Sequence, residues 1–270
     1  MLEVITLNPL KFVLRAISGF TGGLFGTLML LIIFTLSSGV LNSVFVVEEV
    51  GSQTINPIFL AVFLIMIFSG LLMANLFASM LISFCDRDKY FMRGTILHQV
   101  FIFNAVMFFM SLPFYIFSLA LDFGALSIVA LIHSLVALSG SHLVLENVAN
   151  PRYSLVSIYG TSLGLILGAF SNLIVFKITG TVNVLLFAFL PVTWFFMALA
   201  QCGVEALYVS FYRLYGIDFL SNDTEFGEDT VRKGKRKTED QEIEEEVEKD
   251  IKKKAEPKDE DGADFLDENN

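Results

Sequence analysis

Apolar residues run in six long blocks from about Ile17 to Tyr212, with short polar breaks between them. From Gly216 onward the pattern turns polar and charged. A helix needs about 20 mostly apolar residues to cross the hydrocarbon core of a bilayer, because each residue advances it by about 1.5 Å. Six segments have that length: 17–41, 57–84, 96–120, 124–145, 155–176 and 181–212. Spans three and four are divided only by Leu121-Asp122-Phe123-Gly124. The pattern predicts an all-α integral membrane bundle of about six transmembrane helices over residues 1–216. A disordered acidic tail is expected over 217–270, with a short helix near 238–256. Pro113 and Pro191 fall inside spans three and six and predict kinks, which membrane helices tolerate.

Composition agrees with that division. The chain has 270 residues, 54% of them hydrophobic, and 28 Phe. Residues 1–217 carry eight acidic and eight basic side chains, so the net charge of −10 belongs to the remainder. An acidic tail repels phosphates, which argues against nucleic acid as a partner. Within the tail, Arg232, Lys233, Lys235, Arg236 and Lys237 form a basic run suited to anionic lipid headgroups, or simply to water. Thr238 and Gln241 make a capping-box start, and Glu245/Lys249, Glu248/Lys252 and Asp250/Lys254 are favourable i, i+4 pairs. Ile243, Val247 and Ile251 form a narrow apolar line, enough for a weak coiled-coil-like contact with a protein partner.

Basic residues set the expected orientation. Lys11 and Arg15 precede span one, Arg87, Lys89 and Arg93 follow span two, Arg152 follows span four and Arg213 follows span six. The opposite side carries Lys177 alone, beside Glu48 and Glu49. Both termini are therefore expected in the cytoplasm, and in a bacterium the membrane would be the inner one. The first apolar run extends from Ile17 to about Val47 with no A-x-A step after it. That is far longer than a signal-peptide core of roughly 7–15 residues, so it reads as a retained span. Residues 6–18 read either as a separate interfacial helix or as the first turns of span one. Cys85 and Cys202 lack metal-site spacing and read as reduced thiols.

Ionisable and amide side chains inside apolar runs are the candidate chemistry, because such groups are expensive in lipid. His98 and Gln99 open span three, His142 closes span four with Glu146 at i+4, and Gln201 with Glu205 at i+4 lies late in span six. By helical rise, the two histidines lie about 3–5 Å and Glu205 about 9 Å inside the cytoplasmic boundary. They read as a polar cluster at that end, or as groups paired individually, with Arg93, Arg213 or a histidine beside Glu205. The His142-x-x-x-Glu146 step has no H-E-x-x-H or cysteine set around it, so no metal and no cofactor are expected. His133, with Ser134 beside it, reads as an interhelical hydrogen bond.

Glycines recur four apart at Gly19/Gly23 and Gly22/Gly26 in span one and at Gly160/Gly164/Gly168 in span five. Such steps let helix backbones approach closely. They predict packing inside the monomer, with span one against span five, or a face for a homo-oligomer.

The residues Ile128-Val129-Ala130-Leu131-Ile132-His133 through Gly140 are followed by the loop Asn150-Pro151-Arg152. Ser157-Ile158-Tyr159-Gly160-Thr161-Ser162 then opens a glycine-rich span, and Asn8-Pro9-Leu10-Lys11-Phe12 precedes the first. On these residues about a third of the chain, within 127–207, resembles the Yip-domain family of multi-pass membrane proteins. It departs from that family in the loop, which lacks a glycine pair, and in carrying its cytosolic extension at the C-terminal end. The resemblance implies a helical membrane domain without catalysis that works through partners or lipids.

The chain contains no phosphate-binding glycine loop and no carboxylate pair within a span, and its one G-x-S-x-G spacing, Gly160-Thr161-Ser162-Leu163-Gly164, lies inside apolar span five rather than at a strand-to-helix turn. The expected function is a non-enzymatic membrane protein that organises or recruits partners through its tail. The alternative is a small transporter or channel using the polar cluster.

Overall fold

The computed structural model describes residues 9–46, 56–87, 89–118, 121 and 123–215. Six helices account for nearly all of them: α1 (Pro9–Val46), α2 (Pro57–Cys85), α3 (Arg93–Ser118), α4 (Phe123–Ala149), α5 (Ser154–Thr179) and α6 (Val182–Tyr215). A 3-10 turn, Pro151–Tyr153, links α4 to α5, and among the described residues there is no strand. All six are long and apolar enough to cross a membrane. The shortest, at 26 residues, measures about 39 Å by helical rise, more than the roughly 30 Å hydrocarbon core. The protein is thus a multi-pass integral membrane protein. The chain divides into units at Asn222/Asp223, and the second unit, on which the basic run and the helix expected near 238–256 fall, lies outside the described residues.

Local chemistry sets the ends. Asn56 caps α2, its side-chain oxygen accepting the Ile58 N–H at 2.8 Å, with Pro57 in the first turn, where a missing N–H costs nothing. α5 stops at Gly180, whose φ of 64° is left-handed, and its N–H donates to the Phe176 carbonyl at 2.8 Å. α3 and α4 are separate helices, divided between Ser118 and Phe123 as the sequence suggests. Of the two readings of residues 6–18, α1 follows the second: it is one unbroken helix from Pro9, so Lys11 and Arg15 belong to its first turns.

The bundle hides polar side chains within its apolar core and turns large apolar ones outward. Asn75, Ser79, Asn104, Ser141, His142, Glu146 and Gln201 are buried, while Leu28, Phe109, Phe114, Ile166 and Phe170 are exposed. Lipid is as apolar as leucine, so what needs hiding from it is the hydrogen-bonding group. α1 packs most extensively on α2, and α5 on α6; α6 lies between α5 and α1, which do not meet. Small residues permit the close approaches. A Cβ at Gly22 would overlap the Ala78 backbone of α2, and one at Gly26 the side chain of Ala74. A Cβ at Gly19 would meet the Trp194 carbonyl of α6, and one at Gly23 the Pro191 backbone. Gly160, Gly164 and Gly168 face Gln201, Met197 and Thr193, also on α6. The expected pairing of span one with span five is therefore replaced by a common partner, with α6 held between two glycine-lined faces. The main core joins Leu71, Ala74, Ala78, Leu138, Leu145, Trp194 and Met197, and a smaller cluster joins Leu60, Tyr115, Leu126 and Ala130.

Candidate functional site

The end of the bundle where α1 begins and α2, α4 and α6 finish carries four charges in direct contact. Arg15, in the second turn of α1, is 3% exposed. Its Nη2 donates to Glu146 Oε1 of α4 at 2.7 Å, and its Nη1 to Glu205 Oε2 of α6 at 3.1 Å. Lys89, from the connection between α2 and α3, donates to Glu146 Oε2 at 2.6 Å and also to Glu205 Oε1. Each cation therefore bridges both carboxylates, and the four charges sum to zero. Gln201, one turn before Glu205, donates to Glu205 Oε1 at 2.8 Å.

Tyr90 closes the arrangement. The connection folds back on itself, the Tyr90 N–H donating to the Asp86 carbonyl at 3.0 Å, and this leaves the Tyr90 side chain fully buried. Its hydroxyl accepts from Arg15 Nη2 at 2.6 Å and donates to Glu146 Oε1 at 2.7 Å. Burial pushes the phenol well above its ordinary range; the Arg15 charge opposes that shift, and Glu146 and Glu205 add to it. The phenol therefore stays protonated and keeps its donor. Arg15 and Lys89 also lie over the Tyr90 ring, 5.6 and 5.1 Å from its centroid.

Glu146 is 1% exposed, and a buried carboxylate is tolerable only when its oxygens are satisfied and its charge is matched. Here Arg15, Tyr90 and Lys89 take both oxygens. The Lys11–Asp86 pair, at 3.3 Å, is the exposed counterpart on the same side. It contributes little, because water screens it and two flexible side chains lose freedom.

A neutral polar layer lies deeper. Trp194 Nε1 donates to Asn75 Oδ1 at 3.0 Å, Asn75 Nδ2 to Asn104 Oδ1 at 2.7 Å, and Asn104 Nδ2 to Ser141 Oγ at 2.8 Å. This chain ties α6, α2, α3 and α4 together. His142 sits between the layer and the charges. Its Nδ1 shares a 2.8 Å hydrogen bond with Thr161 Oγ1 of α5, and its ring is 5.6 Å from Trp194. His133 shares a 3.0 Å hydrogen bond with Tyr115 between α4 and α3.

Of the six polar candidates, Glu146, Gln201 and Glu205 come together, and His142 lies about a turn away, bonded to α5. His98 and Gln99 are exposed on α3 and face away from the cluster. Glu205 pairs with Arg15 and Lys89, rather than with Arg93 or a histidine, and the Arg213 side chain lies outside the described ones. Arg93 instead lies over the Phe84 ring at 4.7 Å. Sequence reasoning missed Arg15, Lys89 and Tyr90 as site residues. Their signal was present: two carboxylates inside apolar helices require counter-charges, and Arg15 and Lys89 adjoin those depths. Asn75 and Asn104, amides in the middle of apolar spans, carried a similar signal. Among the described residues no three His, Cys, Asp or Glu side chains converge as metal ligands. Comparison with protein-family models, with curated proteins and with solved structures finds no match.

Proposed function

We propose that the chain is a non-enzymatic membrane scaffold that recruits partners through its acidic C-terminal segment, with the charged end of the bundle and both termini in the cytoplasm. One observation carries this reading: Arg15, Lys89, Glu146 and Glu205 neutralise one another within the bundle. A cluster whose charges cancel holds helices together and offers no unmatched charge to a solute. The unmatched charge of the chain, twenty acidic against ten basic residues, lies in 218–270. The resemblance to the Yip-domain family points the same way, towards work done through partners or lipids.

The test is affinity capture from native membranes with the full-length protein and with one lacking residues 222–270. Proteins recovered with the first and lost with the second support recruitment. Identical recoveries contradict it.

A second reading, transport, is favoured by the face of α4. Glu146, His142, Ser141, Ser134 and His133 are all buried along it, which places polar groups at successive depths. Such files serve proton movement in membrane proteins. Its test is proton flux into liposomes containing the wild type or Glu146→Gln: flux in the wild type that the variant lacks supports transport, and no flux in either removes it.

A further inference from the structure

On the side of the Asn75–Trp194 layer away from the charges, α1, α2, α4 and α6 enclose a cleft of about 300 Å³. It exists because α6 begins beside the middle of α1. The Thr27 hydroxyl approaches the Phe187 carbonyl at 3.3 Å, only five residues into α6, while α1 continues to Val46. α4 touches α6 far less than α1 does. Leu71, Ala130 and Leu190 are buried in its walls and floor, whereas Leu131 and Leu186, at 51% and 62% exposure, stand at its mouth. Leu190 is one helical turn from Trp194 and Leu71 one turn from Asn75, so the floor rests on the polar layer.

We propose that this cleft is a binding site for one acyl chain of a bilayer phospholipid. Depth is the first argument. Ile67, Leu71, Ala130, Leu131 and Ser134 of the lining lie about two turns or more inside helices long and apolar enough to span, so the cleft opens into hydrocarbon. The second argument is the wall chemistry. Every lining residue is apolar except Ser127 and Ser134, and both hydroxyls donate to carbonyls of their own helix, Phe123 and Ala130, at 2.8 and 2.7 Å. A polar solute or an ion entering here would shed water and find no free hydrogen-bond donor and only two hydroxyl oxygens. A hydrocarbon chain forfeits nothing and gains contact on several sides. The volume sits at the small end of ligand pockets, in keeping with one chain.

Trp194 is the sole tryptophan, fully buried beneath the floor, and it reports directly. The experiment reconstitutes the full chain in bilayers of phosphatidylcholine brominated at a defined position along one acyl chain and reads Trp194 fluorescence. Quenching in the wild type, strongest at one bromine depth, is expected despite the burial of the indole. Ser134→Leu fills the cleft from its wall and should lower that quenching at least twofold, with the Trp194 emission maximum unchanged. Absence of quenching at every bromine depth overturns the proposal on the wild type alone. Equal quenching of a folded Ser134→Leu protein overturns it too, since the bromines would then lie in lipid around the bundle or against a second copy.

Discussion

Arg15 Nη2 and Glu146 Oε1 lie 2.7 Å apart, although 131 positions separate them in the chain. One belongs to the second turn of α1 and the other to the last turn of α4. Each is nearly inaccessible to solvent, so neither charge is stable there without the other. The same guanidinium reaches Glu205, 190 positions away, and the Tyr90 hydroxyl. One side chain thus joins the first, fourth and sixth helices to the connection between the second and third.

Tyr90 gives this end of the bundle a pH signature. Its phenol is held above the ordinary value of about 10 in the folded protein, whereas in the unfolded chain it ionises near 10. Above that pH the unfolded state binds fewer protons than the folded one, so stability falls as pH rises. Unfolding of the wild type between pH 9 and 11 should show a loss that Tyr90→Phe lacks. At pH 7 the variant should be weaker by about 1–3 kcal/mol, the cost of leaving buried partners of that hydroxyl unsatisfied. Parallel pH dependence of the two proteins would mean that Tyr90 is solvated.

The α5/α6 contact should respond to glycine substitutions in a graded way. A Cβ at Gly164 would overlap the Met197 backbone, which cannot give, whereas one at Gly168 lies 3.1 Å from Thr193 Cα and needs only a small adjustment. Gly164→Ala should lower the melting temperature in mild detergent more than Gly168→Ala, and Gly164→Leu should abolish folded protein. Leu163, exposed at 44%, should tolerate alanine. Equal effects of Gly164→Leu and Leu163→Ala would place the glycine face against lipid.

Orientation can be read from the two thiols. Cys202 is buried and Cys85 half-buried at the end of α2, with its Sγ 3.0 Å from Ser18 Oγ. With Cys202→Ala in place, a membrane-impermeant maleimide should label Cys85 in inverted vesicles and leave it unmodified in intact cells. Labelling in intact cells would turn the charged end outward.

The six helices were legible because a bilayer imposes a length that few other environments require, and short polar breaks mark each end. Glu146, Gln201 and Glu205 were legible for the same reason, since a charge or an amide inside an apolar run is conspicuous. Their partners were not. Arg15 and Lys89 lie where basic residues usually mark topology, and nothing local says that their counter-charges come from other helices. His98 and Gln99 show the complementary failure. Helical rise places them at a suitable depth, but the direction they face depends on the angle around α3. That angle is poorly encoded when core and lipid are both apolar. The glycine steps likewise identified the faces of α1 and α5 that need close approach, but not that α6 lies between them.

The central claim is that the four clustered charges, two of them buried, form one neutral lock, and a double-mutant cycle on Arg15 and Glu146 tests it most directly. Arg15→Met leaves two carboxylates with one cation, and Glu146→Met leaves two cations with one carboxylate. Each single change should cost about 3–5 kcal/mol in denaturant unfolding, because it strands a buried charge. The double variant leaves Lys89 with Glu205, a balanced pair, and replaces the other two side chains with apolar ones of similar length. It should recover most of the loss and lie well below the sum of the two singles. Strictly additive losses would contradict the lock, since they would mean that Arg15 and Glu146 act on the bundle independently.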